Sequence, residues 1–323
     1  KCLKGHVWAC TVSGRVGAGS REGTGCPQCV YTSLQSKPEA RLTDFIKEHY
    51  GMEVRTSDRK TLGGLELDIY LPDIKVAIEY NGLYWHSEKF RGMGYHKSKY
   101  DICEQNGIRM ISVWEDDYRD NQALVHKMLL HKLGLSAQDK VPARKTEAVF
   151  ISNQEAFGFL NDNHIQGKAQ GSYYLGLKTK DTQELVAVMV LKRTKDVLSL
   201  ERFATSKIVS GGQSKLLKFV DQNIEYSKMI TFADRTVSDG NLYTGTGWVK
   251  EAEIAPDYRY LVRNVREHKF GYRKSRFKND PNLKYVEGYT ERQLAELNGL
   301  LRVYDAGKVR FSRVPKFRGR LDN

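Results

Sequence analysis

Long hydrophobic runs are missing from this sequence. The longest uninterrupted apolar stretch is Leu185–Leu191. A membrane-crossing helix needs about 20 apolar residues in succession, so no membrane span is expected. No signal peptide is visible and the chain opens on Lys1, so targeting is not legible. No internal repeat is visible either. Cysteine is scarce and uneven: of Cys2, Cys10, Cys26, Cys29 and Cys103, four lie in the first 29 residues. That clustering, in a chain this long, points to a metal knuckle rather than a disulfide framework, and to a reducing, cytoplasmic compartment. Acid is also in short supply, with 39 Asp and Glu against 52 Lys and Arg and a net charge of +13. A surplus of that size calls for a polyanionic partner, nucleic acid before others.

Composition divides the chain into a Gly-, Cys- and base-rich segment (1–30), a helix–strand region (31–135), a linker (136–146) and a longer α/β region with a basic end (147–323). In the first, Cys2-x3-His6 precedes a Gly-rich turn and Cys26-x2-Cys29. Zinc takes four tetrahedral S or N ligands, and a Cys-x2-Cys turn supplies two thiolates. Cys2 and His6 supply the other pair, with Cys10 as the rival of His6. So short and polar a segment has no core, so a structural zinc explains why it would fold.

The stretch "LELDIYLPDIKVAIEYN" (65–81) reads as a hairpin. Leu65, Leu67, Ile69 and Leu71 alternate on one strand, Val76, Ile78 and Tyr80 on the next, and "PDIK" forms the turn. Symmetry about Asp73 and Ile74 sets Asp68 opposite Glu79, and Glu66 opposite Asn81. Directly opposed side chains have Cβ atoms roughly 5 Å apart, and like charges there are destabilising. A Mg²⁺ ion held by both carboxylates removes that repulsion. Downstream, "YHKSKYDICEQ" reads as a helix with His96 and Lys99 on one face, stopped at Gly107. Upstream, Ser36 caps a helix with Pro38 in its first turn and Glu39 at the capping-box position. Glu39 is either a cap or a further group at the metal.

With these residues in place, "LELDIYLP…VAIEYNGLYWHSE…YHKSK…NGIRMISVWEDD" resembles the PD-(D/E)xK nuclease fold. It looks like the branch related to very-short-patch repair endonucleases, and most like phage-encoded homing endonucleases. The resemblance covers about 36–120. It implies a metal pair at Asp68 and Glu79, a general base at His86 and a charge-stabilising Lys99, with His96 a further candidate. Asn81 stands where the family has its motif lysine. "GHVW" and "GCPQC" in turn resemble the zinc ribbons of phage and bacterial nucleases, which favours His6 over Cys10.

In the second half, "FLNDNHIQG", "ELVAVMVLKR", "LSLERFATS", "SGGQSKLLKFV" and "MITFADRTVSDGNLYTGTGW" read as three strands, a glycine turn, a helix and a strand. The glycine pair makes either a phosphate cradle or a tight turn. This order resembles the GNAT acyltransferase fold, in particular the domain of phage DNA-modification enzymes. "KIVSGGQS" departs from the family's Q/R-x-x-G-x-G/A loop, so no acyl-CoA is expected, and the domain is read as holding DNA. From 263 to 278 seven bases (Arg263, Arg266, Lys269, Arg273, Lys274, Arg276 and Lys278) face one acid, Glu267. Arg313, Lys316 and Arg318 belong to a second acid-free run. Such arms neutralise phosphates, with interleaved aromatics for stacking.

The expectation is an α/β chain made of a zinc ribbon, a restriction-endonuclease-like mixed-sheet core and a GNAT-like domain. The expected protein is monomeric and phage-encoded. Its expected activity is a Mg²⁺-dependent, homing-type endonuclease on double-stranded DNA. The alternatives are a DNA-modifying acyltransferase-like enzyme and a mismatch-nicking repair endonuclease.

Overall fold

A computed structural model of the chain describes residues 36–136, 140–238 and 240–315, together with Val7, Ala9 and Thr11. The expected zinc ligands Cys2, His6, Cys10, Cys26 and Cys29, and the bases Lys316 and Arg318, lie outside the described residues. The chain divides into two compact units, 1–54 and 55–323. No helix among the described residues is long and apolar enough to cross a membrane.

In the first unit, α1 (Lys37–Tyr50) begins where Ser36 Oγ accepts the Glu39 N–H at 3.3 Å. It ends at Gly51, whose φ of 71° no β-carbon obstructs. Glu39 therefore sits in the first turn of α1.

The second unit opens with a mixed four-stranded sheet in the order β1-β2-β3-β4. Its elements are β1 (Arg55–Leu62), β2 (Leu65–Leu71), β3 (Val76–Asn81), α2 (Tyr95–Gln105) and β4 (Arg109–Trp114), then α3 (Glu115–Asp120) and α4 (Gln122–Lys132). β2 and β3 are antiparallel with Ile69 opposite Ile78 and Leu71 opposite Val76, a hairpin centred on Asp73 and Ile74. β3 and β4 are parallel, with α2 inside the crossover. Every residue of β3 is buried, so its polar positions, Glu79 and Asn81, lie in the interior.

The rest of the unit runs β5 (Lys140–Pro142), β6 (Thr146–Phe150), α5 (Asn153–Asn163), β7 (Tyr173–Thr179), β8 (Leu185–Thr194), β9 (Val197–Thr205), β10 (Ile208–Ser210), α6 (Gly212–Asn223), β11 (Lys228–Asp234), α7 (Asn241–Thr244), β12 (Val249–Ile254), β13 (Tyr258–Val262), β14 (Val265–His268), α8 (Lys274–Asn279), α9 (Glu291–Leu297), β15 (Leu301–Tyr304) and β16 (Lys308–Arg313). Seven strands form one sheet, ordered β12-β16-β11-β9-β8-β7-β6. Leu175, Met189, Leu198, Leu216 and Val220 build its core. The apolar run of β8 is central and covered on both faces, as continuous hydrophobic strands are.

Two departures from a regular sheet matter. β9 and β11 are parallel, but they pair only from Val197 to Leu200 and from Lys228 to Thr231. Beyond that they part: β9 continues with β8 to Thr205 and β11 with β16 to Asp234. The second departure is an insertion between β12 and β16, built from the sheet β14-β13-β15 with α8 and α9. The chain returns from it at Gly307, whose φ is 83° and where a β-carbon would stand 2.4 Å from Ile254 O.

The two sheets and the insertion are joined directly. Ser87 bridges to Val303, Arg302 Nε donates to Glu88 Oε2 at 2.7 Å, and the Ser112 N–H reaches Thr236 O at 2.7 Å.

Candidate functional site

The hairpin register brings Asp68 and Glu79 side by side. The Tyr80 N–H donates to Asp68 Oδ2 at 2.8 Å and the Asp68 N–H to Glu79 Oε1 at 3.3 Å. α2 then lays Lys99 over the pair, with its Nζ donating to Glu79 Oε2 in a buried ion pair. Lys99 and Glu79 lie twenty residues apart in sequence. Asn81 is buried beside them, and its Nδ2 finds no hydrogen-bond partner among the described residues.

Burial and then the neighbouring Glu79 charge push the Asp68 carboxyl up to about 8, against the pull of Lys99. Burial also raises Glu79, again opposed by Lys99. For Lys99 the two carboxylates outweigh desolvation, and its value rises. One proton and one ammonium therefore offset the charge of the pair at neutral pH.

His86 and His96 form a second layer. Their rings stack at 5.0 Å, and His86 Nδ1 lies 3.3 Å from His96 Nε2. Burial, then Lys99, holds His86 down to about 4. Burial, then His86, holds His96 down to about 3. Both imidazoles are neutral at physiological pH, so each pairs a donor nitrogen with an acceptor.

This arrangement offers a relief of the carboxylate repulsion besides a divalent ion. The repulsion between Asp68 and Glu79 is relieved by the Lys99 ammonium and by a raised carboxyl. Among the described residues, no group of three or more His, Cys, Asp or Glu is placed to hold a metal. Two carboxylates remain compatible with Mg²⁺, whose other positions go to water and phosphate, and Asp68 and Glu79 are the residues that would hold it; no step is routed through it. Glu39 lies in the other compact unit, and no metal contact is assigned to it.

Next to these residues lies a feature that sequence reading missed. Trp85 is 64% exposed, and Tyr84, Phe90 and Met93 are exposed with it. The three rings touch in a triad, with Trp85 and Phe90 centroids 4.9 Å apart. Lys89 Nζ stands 5.3 Å from the Tyr84 ring centre. Exposed aromatics in contact mark a recognition surface. The signal was present in "GLYWHSEKF", but it looks the same in a core.

The basic segments fold differently from the expected arms. Residues 265–268 form β14 and 274–279 form α8, and acids from elsewhere pair with most of the cations. Arg266 reaches Asp116 at 2.8 Å and Asp117 at 2.7 Å, with its guanidinium over Trp114. Lys269 pairs with Asp257, Arg273 with Glu291, and Arg276 with Glu267 and Asp280. Arg313 is buried, and both its Nη atoms are held by Asp221. It is thus a fold residue rather than a DNA contact. Arg263, Lys274 and Lys278 make no ion pair among the described residues. Arg263 and Asn264, at φ 47° and 62°, form the tip of the β13–β14 hairpin.

No family model and no curated protein matches the chain. Among solved structures it is similar to the ribosomal-protein-S18-alanine N-acetyltransferase of Escherichia coli (TM-score 0.32, 10% identity, 55% of this chain and 99% of that one). It is similar to a GNAT family acetyltransferase of Elizabethkingia anophelis (TM-score 0.30, 13% identity, 53% and 98%). It is likewise similar to a spermidine N-acetyltransferase of Vibrio cholerae (TM-score 0.31, 10% identity, 53% and 95%). These similar structures are acetyltransferases. The expected metal-dependent homing endonuclease, with its nuclease and hydrolase character, finds no counterpart among them and is set aside.

Proposed function

We propose that the chain binds double-stranded DNA and modifies it by group transfer, as a DNA-modifying acyltransferase-like enzyme. The parting of β9 and β11 carries this reading. Two parallel strands that separate toward their carboxyl ends open a crevice, and such crevices are where open α/β sheets take their ligands. The charge of +13 and the exposed Tyr84–Trp85–Phe90 triad beside Lys89 support DNA as the acceptor. Cations meet phosphates, and exposed aromatics stack on or wedge between bases.

A second reading rests on a different observation. The backbone ahead of α6 is engaged by protein, since Ile208–Ser210 pairs with Lys140–Pro142 and Lys215 Nζ donates to Ala143 O at 2.8 Å. A β-carbon on Gly212 would meet Val209 at 2.9 Å, so that glycine serves packing. This favours a domain that holds DNA without acyl-CoA.

Duplex DNA and radiolabelled acetyl-CoA test both readings. Transfer of label to DNA is the expected result. DNA binding without acetyl-CoA binding or transfer leaves the scaffold reading. Trp85→Ala is expected to weaken duplex binding by roughly tenfold, since a stacked base is worth about 1–3 kcal/mol. Unchanged affinity removes the triad from the interface.

A further inference from the structure

Where β9 and β11 part, the sheet, the insertion and the end of β4 enclose a cavity of about 280 Å³. Its charged lining is unequally satisfied. Four carboxylates face it, and each is engaged. Asp117 accepts from Arg266 at 2.7 Å, and Asp257 from Lys269 at 2.5 Å. Asp234 accepts from Thr236 N and Oγ1. Asp305 accepts from the Gly307 and Asp257 N–H groups, with Lys308 at 3.7 Å.

Two guanidiniums remain. Arg202 donates only to main-chain carbonyls, Gly167 O at 3.3 Å and Glu201 O at 2.6 Å. The Arg259 guanidinium makes no hydrogen bond or ion pair among the described residues. Burial lowers the Arg202 value, Glu201 opposes that, and Arg259 lowers it further. His268, on the same wall, is held below its ordinary value by burial and Arg259. Two cations that repel across a cavity, neither guanidinium held by a carboxylate in a hydrogen bond or ion pair among the described residues, form an anion site. A planar guanidinium matches phosphate oxygens with paired donors.

We propose that this cavity binds the phosphate group of a mononucleotide-sized ligand, with Arg202 and Arg259 as its anchors and Thr236 and Gln166 as polar neighbours. At about 280 Å³ the cavity falls just short of the roughly 300 Å³ at which small-molecule pockets begin, so it takes the phosphate end of such a ligand and leaves the rest at its mouth. The inference rests on the reading of the crevice as a ligand site and adds the ligand's chemistry. The phosphate comes either from a free nucleotide or from a DNA strand.

Calorimetric titration of the full chain separates these sources, using AMP, adenosine, inorganic phosphate, a short duplex and acetyl-CoA. The expected result is that AMP binds, adenosine does not, and Arg259→Gln weakens AMP at least tenfold without moving Tm. Arg202→Gln is expected to abolish binding. If AMP and phosphate give no heat but Arg259→Gln weakens the duplex tenfold, the phosphate is DNA's and the site stands. AMP binding without acetyl-CoA binding ends the transfer reading and leaves the site. Acetyl-CoA binding that ignores Arg259→Gln, with no heat from AMP or phosphate, overturns the site and leaves the transfer reading. AMP binding unchanged in both variants overturns it as well.

Discussion

Replacing Lys99 with methionine is expected to cost about 3–5 kcal/mol, because removing one partner of a buried pair leaves an uncompensated charge. Lys99 and Glu79 are both buried, and Asp68 shares the same enclosure. In a chain of this size, Tm is expected to fall by on the order of 10 °C. Lys99→Met with Glu79→Gln is expected to recover most of the loss, since a neutral pair leaves no orphan charge.

The pH dependence has a definite sign. Asp68 and Glu79 are both raised on folding, so their contribution is fully present below their unfolded values. It is lost as pH rises toward the folded value of about 8 for Asp68. Wild-type stability is therefore expected to decline between about pH 5 and pH 8 through these groups, and Asp68→Asn to flatten the decline. Without Lys99 the carboxyls rise further, so the deficit of Lys99→Met grows with pH. Circular-dichroism melts across that range read all four proteins. A Lys99→Met protein as stable as wild type at the upper end would show that the ammonium does not neutralise the pair.

Arg313→Met is expected to destabilise by a similar amount, about 3–5 kcal/mol, and to leave DNA affinity intact. Its two Nη atoms meet the Asp221 oxygens at 2.9 and 2.7 Å, and Nη1 also reaches the Tyr226 hydroxyl at 2.7 Å. Arg313 and Asp221 are each 3% exposed at the side chain, so methionine strands a buried carboxylate. Denaturant unfolding measures the loss, and duplex titration well below Tm measures binding. A stable variant with weakened binding would return Arg313 to the DNA surface.

The part of the site set by local rules was legible. The alternation around "PDIK" fixed the hairpin, and with it the approach of Asp68 and Glu79. The 3.6-residue spacing put His96 and Lys99 on one helix face. What relieved the carboxylates was not legible, because it depends on where the crossover helix lands on the sheet. β1 escaped notice because "RTSDRKTL" is polar and lacks alternation. "FLNDNHIQG" reads as a strand, yet its first residues close α5, which Ser152 and Glu155 start with a capping box. The bases were misread for one reason: their acids were counted only nearby. Arg266 finds Asp116 at a separation of 150 residues and Arg313 finds Asp221 at 92, so a run that looks cationic along the chain is largely neutralised in space.

The insertion meets the seven-stranded sheet in a telling way. The residue before it, Ile254, and the residue after it, Lys308, are direct partners across β12 and β16. Entry and exit thus lie one strand spacing apart. Topologically, the segment is carried within a hairpin, and β12 and β16 would need only a short turn to close without it.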